Sequence, residues 1–347
     1  MKLYIHKDTF YDKVYGDETW WKRFEWLLNK KYKNIDYEIV NLHYEDNIND
    51  LQIGNDDYCI CRFAHYEEDF ELSKRVYPLL YEKFKGRIWP NKIEWYYYND
   101  KQRQLEFFRE NYIPHPISHS SSGRDDFLEW KDFFNFEYPI IVKESQGAGS
   151  EEVRLINNWE EVDDLVSYDT ADGIPIDTSW ESGQFIAQQY IDVNHDIRIS
   201  IFGDKILFAK RIHHWREDEK KRFPYGWYYG DKDGKLDGKS LSYEEIDKIK
   251  DIGIYLKNVT DKKLQSKIMS WDIIDEENDF KVLEFSNCFQ FDMIENTFYY
   301  DVRKDKILKT KNKLKDNMFL IQEELLKQNV ISIITDLILE KLLNKRR

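Results

Sequence analysis

The sequence predicts an α+β protein of several lobes: a small α/β domain first, strand-rich lobes in the middle, and a helical tail. Three observations carry this expectation. Short apolar strands alternate with longer amphipathic stretches over residues 1–92, strands with tight turns dominate from about 137 to 300, and 347 residues exceed one typical domain.

In chain order, "KLYIH", "YEIVNL" and "DYCICRF" read as strands and "FELSKRVYPLLYEKF" as an amphipathic partner, closing a first domain (1–92) near "RIWPNK". A helix follows over "NDKQRQLEFFRENY", with Asn99 or Asp100 able to cap it and "IPHP" stopping it. Lys101 then falls in the first helical turn, where the helix dipole disfavours a cation. "ISHSSSGRDD" reads as a loop. Two lobes are expected at 93–183 and 184–300, with helices at "NWEEVDDLVSY" and "SYEEIDKIKDIGIYLKNV". The tail, 301–347, places Val330, Ile334, Leu337, Ile338 and Leu342 at helical spacing, suited to packing on the body or on a second copy in a homodimer.

Composition narrows the function. A net charge of −14 opposes a general nucleic-acid binder, because counterion release needs a basic surface. Cys59 and Cys61, two of three cysteines, alternate on one strand face without thiol-redox or zinc spacing, and read as buried thiols in a reducing compartment. No apolar run reaches the roughly 20 residues that cross a bilayer, so a cytoplasmic protein without an integral membrane segment is expected.

Three constellations carry chemistry. In "PIIVKESQGAGSEEVRLI" a strand ends near Lys143, a small-residue turn runs through Gly147, Ala148, Gly149 and Ser150, and a second strand follows. No Gly-Lys-Ser/Thr closes it and no third glycine with a helix follows, which excludes the P-loop and the dinucleotide fingerprint. A hairpin turn and a phosphate-covering flap both remain open, the second using exposed amides with Lys143 as the point charge.

In "DIRISIFGDKILFAKRI", a type II′ turn at Gly203-Asp204 pairs Phe202 with Lys205, Arg198 with Ala209 and Asp196 with Arg211. Asp196, Arg198 and Arg211 then share one face, as a solvated ladder or as a site for an anionic substrate and a ribose.

In "SWDIIDEENDFKVLEFSN", a hairpin in which Ile274 meets Val282 makes Asp272 and Glu284 cross-strand partners. Carboxylates so paired stand about 5 Å apart at Cβ, and are either an outward-facing pair relaxed by water or, on the covered face that the flanking Ile, Val and Leu favour, a pair with a neutralising partner. A divalent cation is the simplest, and hard oxygen ligands suit Mg2+, with Mn2+ as a substitute. Ser286 shares the face of Glu284; Asn287, the better ligand, does so only if a bulge intervenes.

These pieces, with the strand "FIAQQYI" between the first and second, resemble in their order the ATP-grasp fold of carboxylate–amine ligases, over roughly residues 88–295. The likeness is strongest to enzymes similar to the ribosomal-protein glutamate ligase and to a branch found with bacterial surface-polysaccharide genes. The resemblance implies a two-lobed ATP-gripping body behind a pre-ATP-grasp domain. It implies that Lys101 and Lys143 reach ATP phosphates under the 147–150 flap, and that Gln188, Gln189, Tyr190 and Ile191 form the adenine hinge with Asp196 on the ribose. Asp272 and Glu284, with Ser286 or Asn287, would hold magnesium, while Arg198 and Arg211 would steady the carboxylate and the acyl phosphate.

The chain departs from the family pattern at "KRFPYGWYYGD", where Arg222 is the candidate substitute for a missing segment, and at "SNCFQFD", which replaces a glycine-rich ending. Both border the acceptor site. The expected partners are therefore carboxylate and amine substrates that are small molecules, glycan-linked groups or peptides. Rival readings are a macrocyclase acting on a ribosomal precursor peptide and a non-catalytic nucleotide-binding module.

Overall fold

The computed structural model describes residues 1–7, 20–61, 63, 67–98, 100–121, 126, 137–146, 153–161, 184–193, 195–212, 241–276, 279–287 and 298–309. It builds three sheets in succession along the chain.

The first is a parallel sheet of order β2-β1-β3-β4, formed by β1 (Lys2–His6), β2 (Asp36–Val40), β3 (Tyr58–Ile60) and β4 (Ile88–Trp89). Parallel pairing needs crossovers, and α1 (Trp20–Lys31), α2 (Glu45–Asp50) and α3 (Glu67–Lys83) lie in those connections. One face of this lobe packs Tyr4, Cys59, Cys61, Phe63, Val76, Leu80 and Phe84 into a common core, and Cys59 and Cys61 are buried free thiols as expected.

Helix α4 (Lys92–Tyr97) carries a capping box, Asn91 with Glu94. The same two residues fasten the first lobe to the third: Asn91 Nδ2 donates to Leu264 O and Gln265 O at 3.3 and 3.2 Å, and Ser266 Oγ donates to Glu94 Oε1. Helix α5 (Lys101–Glu110) is capped by Asp100, whose side chain accepts from Arg103 N.

The second sheet is antiparallel, of order β5-β8-β6-β7, from β5 (Ser118–Ser120), β6 (Ile140–Glu144), β7 (Val153–Ile156) and β8 (Phe185–Gln189). The expected loop at "ISHSSS" is corrected here, since Ser118–Ser120 pair with Ile186–Gln188. A three-residue polar strand has no apolar alternation to announce it; its main chain is recruited by the neighbouring strand.

The third sheet has the order β12-β11-β9-β10-β13-β14. β9 (His195–Phe202) and β10 (Lys205–Ile212) form the expected hairpin, Phe202 opposite Lys205, Arg198 opposite Ala209 and Asp196 opposite Arg211. Gly203 takes φ +60°, and the left-handed non-glycine residues among those described lie elsewhere, which suits a type II′ turn. That turn is fastened from several sides: Gly203 N donates to Lys267 O (2.7 Å), Val302 N donates to Asp204 O (2.9 Å), and the Asp204 carboxylate pairs with Lys257 at 3.5 Å and with Arg303.

Helix α6 (Tyr243–Lys262), capped by Ser242 with Glu245, covers the apolar face of this sheet through Ile246, Ile249 and Leu256. β11 (Ile268–Glu276) and β12 (Asp279–Ser286) set Asp272 opposite Glu284, as expected, but Ile273 rather than Ile274 faces Val282. The register shifts between Asp272 and Ile273, so Leu283 is the extra residue of a β-bulge. The bulge lets Val282 and Phe285, three apart, both enter the core.

β13 (Phe298–Asp301) and β14 (Lys306–Lys309) complete the sheet. The helical tail expected from residue 301 is corrected to this extent: strand pairing runs to Lys309, with Tyr300 and Ile307 buried, and residues 310–347 lie outside those described.

Candidate active site

Lys143 is the next-to-last residue of β6 and only 7% exposed, and its Nζ donates to Gln188 Oε1 at 3.3 Å. The two are diagonal neighbours on one face, because Lys143 pairs with Ile186 and Gln188 lies two residues further along β8. Gln188 is held in turn, its Nε2 donating to Ser118 Oγ at 2.9 Å. Burial pushes the Lys143 ammonium down to about 8; Glu284 pulls it back up, Lys101 pushes it down again and Asp272 pulls it up. That interplay brings together four site residues from four elements, β6, α5, β11 and β12.

Lys101 opens α5, and its main-chain N donates to Ser145 O at 2.7 Å, just past the end of β6. Ser145 Oγ donates to Asp100 Oδ1 (3.3 Å) and accepts from Gln102 N (3.3 Å). The base of the glycine segment is thus tied to a helix N-terminus that has no acidic residue in its first turn. The first N–H groups of α5 are thereby taken by Ser145 and Asp100, and the two neighbouring lysines are what makes the place a setting for an anion. Gly147, Ala148, Gly149 and Ser150 themselves lie outside the described residues.

The facing sheet presents a row of charge. Register places Arg198 beside Asp272 and Asp272 beside Glu284 on three consecutive strands, with Ile197, Ile199, Trp271 and Ile273 on the opposite, core face. Arg198 Nε and Nη2 donate to the two oxygens of Asp272 at 2.7 and 2.8 Å. The opposed carboxylates therefore have a protein cation already, and the divalent ion anticipated from their pairing is not their only neutraliser. A second row lies below, where Ser200 and Ser270 share a 2.7 Å hydroxyl contact and Ser286 pairs with Ser270.

The donor set still fits a divalent cation. A carboxylate has about four lone-pair positions, so a bidentate guanidinium leaves Asp272 further acceptor capacity, and Glu284 adds a second hard oxygen donor. Just after β12, Asn287 is 7% exposed, and among the described residues its Nδ2 has no hydrogen-bond partner; that N–H group would suit an anionic oxygen, and the Oδ1 a cation. Ser286 stays on the face of Glu284, because the bulge precedes both. Among the described residues no group of three or more His, Cys, Asp and Glu gathers, so amide or hydroxyl oxygens must complete any set.

Asp196 is buried two residues before Arg198 on the same strand face. For Arg211 the backbone register opposite Asp196 is described, and its side chain lies outside the described residues, as does Arg222. In the hinge segment, Gln189 N donates to Ile117 O at 2.8 Å and Tyr190 Oη donates to Asp192 Oδ1 at 3.0 Å, with Gln189, Tyr190 and Ile191 half-buried. Sequence reasoning missed Ser145 and Gln104 as connectors of the site; the Asp100 cap beside Lys101 was the one signal leading to them.

A parallel α/β lobe followed by two antiparallel sheets that bring lysines from one side to carboxylates on the other is the ATP-grasp architecture. The RimK-like ATP-grasp domain family matches residues 98–311, more than half of the chain, and the protein belongs to that family. Among solved structures, it is similar to the D-alanine–D-alanine ligase of Bacillus anthracis (TM-score 0.60, 14% identity, 100% of this chain and 98% of that one). It is similar to an ATP-grasp RimK domain protein of Sphaerobacter thermophilus (TM-score 0.53, 11% identity, 98% and 100%). It is also similar to the ATP-grasp ligase PsnB complexed with a minimal precursor (TM-score 0.51, 10% identity, 84% and 92%). At these identities the likeness is one of fold. No curated protein matches the chain. Among the described residues, no helix is long and apolar enough to cross a membrane.

Proposed function

We propose that the protein is an ATP-dependent ligase that activates a carboxylate as an acyl phosphate and joins it to an amine, releasing ADP and phosphate. The observation that carries the reading is the convergence of Lys143, from the second sheet, and Lys101, from the start of α5, on Asp272 and Glu284 of the third sheet. Cations alone would suit any anion; cations facing paired carboxylates suit a polyphosphate with its counter-ion.

The residues divide the work. Lys143 and Lys101 meet the phosphates. Ile141 and Ile186 share the face of Lys143 and give the base an apolar wall. Asp196 reaches the ribose, and Gln188 to Ile191 line the hinge. Asp272 and Glu284, with Ser286 or Asn287, would hold Mg2+, which when bound offsets the negative charge that two reacting anions bring together. Arg198, anchored by Asp272, and Arg211 steady the substrate carboxylate.

The carboxylate oxygen attacks the γ-phosphorus as the bond to the bridging oxygen of ADP breaks. The amine then attacks the acyl carbon, phosphate leaves and the nitrogen loses a proton. With so little covalent work for protein groups, catalysis rests on alignment and charge.

The test is ADP release by the full chain with Mg2+ and a panel of carboxylate–amine pairs, including acidic peptides. Release that requires both substrates supports the ligase. ATP binding without ADP release across the panel would leave only a nucleotide-binding module.

A further inference from the structure

We infer that Gln104 is a positioning residue for the metal-holding strand, and that through it α5 sets the placement of Glu284 and Ser286 relative to Lys101. The inference rests on the reading of Glu284 and Ser286 as metal-holding residues.

Gln104 is 3% exposed and uses its whole amide. Its Oε1 accepts from Phe285 N at 3.0 Å, while its Nε2 donates to Phe285 O at 2.9 Å and to Tyr97 O at 3.0 Å. The side chain thus pairs with β12 as a neighbouring strand would. β12 needs such a partner, because it is the outer strand of its sheet and presents unpaired main-chain groups on that side. Pro114 O takes a further one, accepting from Val282 N at 2.8 Å.

The position of the contact gives it a role beyond covering an edge. The N–H of Phe285 belongs to the peptide that follows Glu284, and its C=O to the peptide that precedes Ser286. Holding both peptide planes fixes the main chain from which the two side chains leave, on the face opposite the buried Phe285 ring. Gln104 also lies one turn after Lys101 on α5, hence on the same side of the helix. With Lys101 N bonded to Ser145 O, the helix is a strut from the end of β6 to the Glu284 strand. Outer groups that orient metal-binding side chains typically cost about 10–100-fold in affinity when removed.

The experiment uses the full chain, a non-hydrolysable ATP analogue and Mn2+, with bound Mn2+ measured by electron paramagnetic resonance. Gln104→Met keeps the volume and removes all three hydrogen bonds; Gln104→Glu keeps an acceptor for Phe285 N and sets a carboxylate against two carbonyls. Phe24→Leu, in the first-lobe core, is the control for general loss of stability. We expect Mn2+ affinity to fall about 10–100-fold in Gln104→Met and by less in Gln104→Glu. Metal-free affinity for the analogue should hold, and Phe24→Leu should bind Mn2+ as wild type does. Wild-type Mn2+ affinity in Gln104→Met, or an equal loss in Phe24→Leu, overturns the inference. If Gln104→Met does not fold, wild-type affinity in Gln104→Glu overturns it. Absence of Mn2+ binding by the wild-type complex would instead remove the metal site, and the inference with it.

Discussion

Arg198 grips both oxygens of Asp272, at 2.7 and 2.8 Å, from a position 74 residues away in sequence and one strand away in space. Their side chains are 11% and 4% exposed, so the pair sits where an unmatched charge is costly. Asp272 cannot be treated as a metal-site residue alone; it also holds the arginine.

Arg198→Met therefore strands a buried carboxylate beside Glu284 and is expected to destabilise the fold by about 3–5 kcal/mol. Adding Asp272→Asn should return part of that loss. Urea unfolding of the four members of the cycle checks this, and additive costs would mean that the two residues do not depend on each other.

Asp272→Asn alone keeps an acceptor for Arg198 but halves the carboxylates available to Mg2+. Mg2+-dependent turnover should fall by at least about 10–100-fold, and stability should fall as well, because the buried Arg198 loses its counter-charge. Steady-state rates across a Mg2+ series, beside thermal unfolding, separate the two; unchanged turnover removes Asp272 from the metal site.

Lys143 is charged below about pH 8 and neutral above it. ATP affinity should weaken as pH rises past that value, and Lys143→Met should both weaken binding and abolish this pH dependence. Calorimetric titration from pH 7 to 9.5 reads it directly. The stability contribution runs the other way. The unfolded lysine keeps its proton up to about 10.5, so between the two values the unfolded chain binds more protons and stability rises with pH.

His6 gives an acid counterpart in the first lobe. Burial, then the neighbouring His43, hold it well below its ordinary value of 6.5, while the carbonyl of Val40 opposes the shift. Its Nδ1 accepts from Leu42 N at 3.0 Å, so the ring is neutral in the fold. Below the ordinary value the unfolded chain takes up a proton that the fold refuses, and stability falls with falling pH. His6→Asn, which places an acceptor near the Nδ1 position, should flatten acid unfolding below pH 6.5. A slope equal to wild type would assign the acid loss to other groups.

Gly253, inside α6, presses on β10: a Cβ there would stand 2.8 Å from Phe208 Cζ and 3.1 Å from Ile206 Cγ2. Helix propensity favours alanine by about 1 kcal/mol, but overpacking costs about 1–3 kcal/mol. Gly253→Ala is expected to lower the melting temperature, and a rise would show that the helix can shift outward.

What could be read from sequence was local. Residues that pair through a two-residue turn, Asp196 with Arg211 or Arg198 with Ala209, follow from counting, and the Asp100 cap follows from the residue type before Lys101. The Asp272–Glu284 pairing was right although its expected neighbour, Ile274 opposite Val282, was wrong. The bulge at Leu283 offset the miscount, and a bulge has no signature in one strand alone. The Arg198–Asp272 grip needed the order of strands in the sheet, since β9 and β11 are separated by β10 and α6. Gln104 looked like an ordinary polar helix residue, because only the uncovered edge of β12 gives its amide a task.

The fastened turn at Gly203-Asp204 has a consequence for how such a chain can diversify. Register in a hairpin is set wherever its strands are held most firmly, and here that is the turn end, through Lys267, Val302, Lys257 and Arg303. Asp196 and Arg198 inherit their positions from that end. The chain leaving β10 at Ile212 can then change in length and chemistry without displacing Asp196 and Arg198. A firm register and freedom to vary become separable traits within one hairpin.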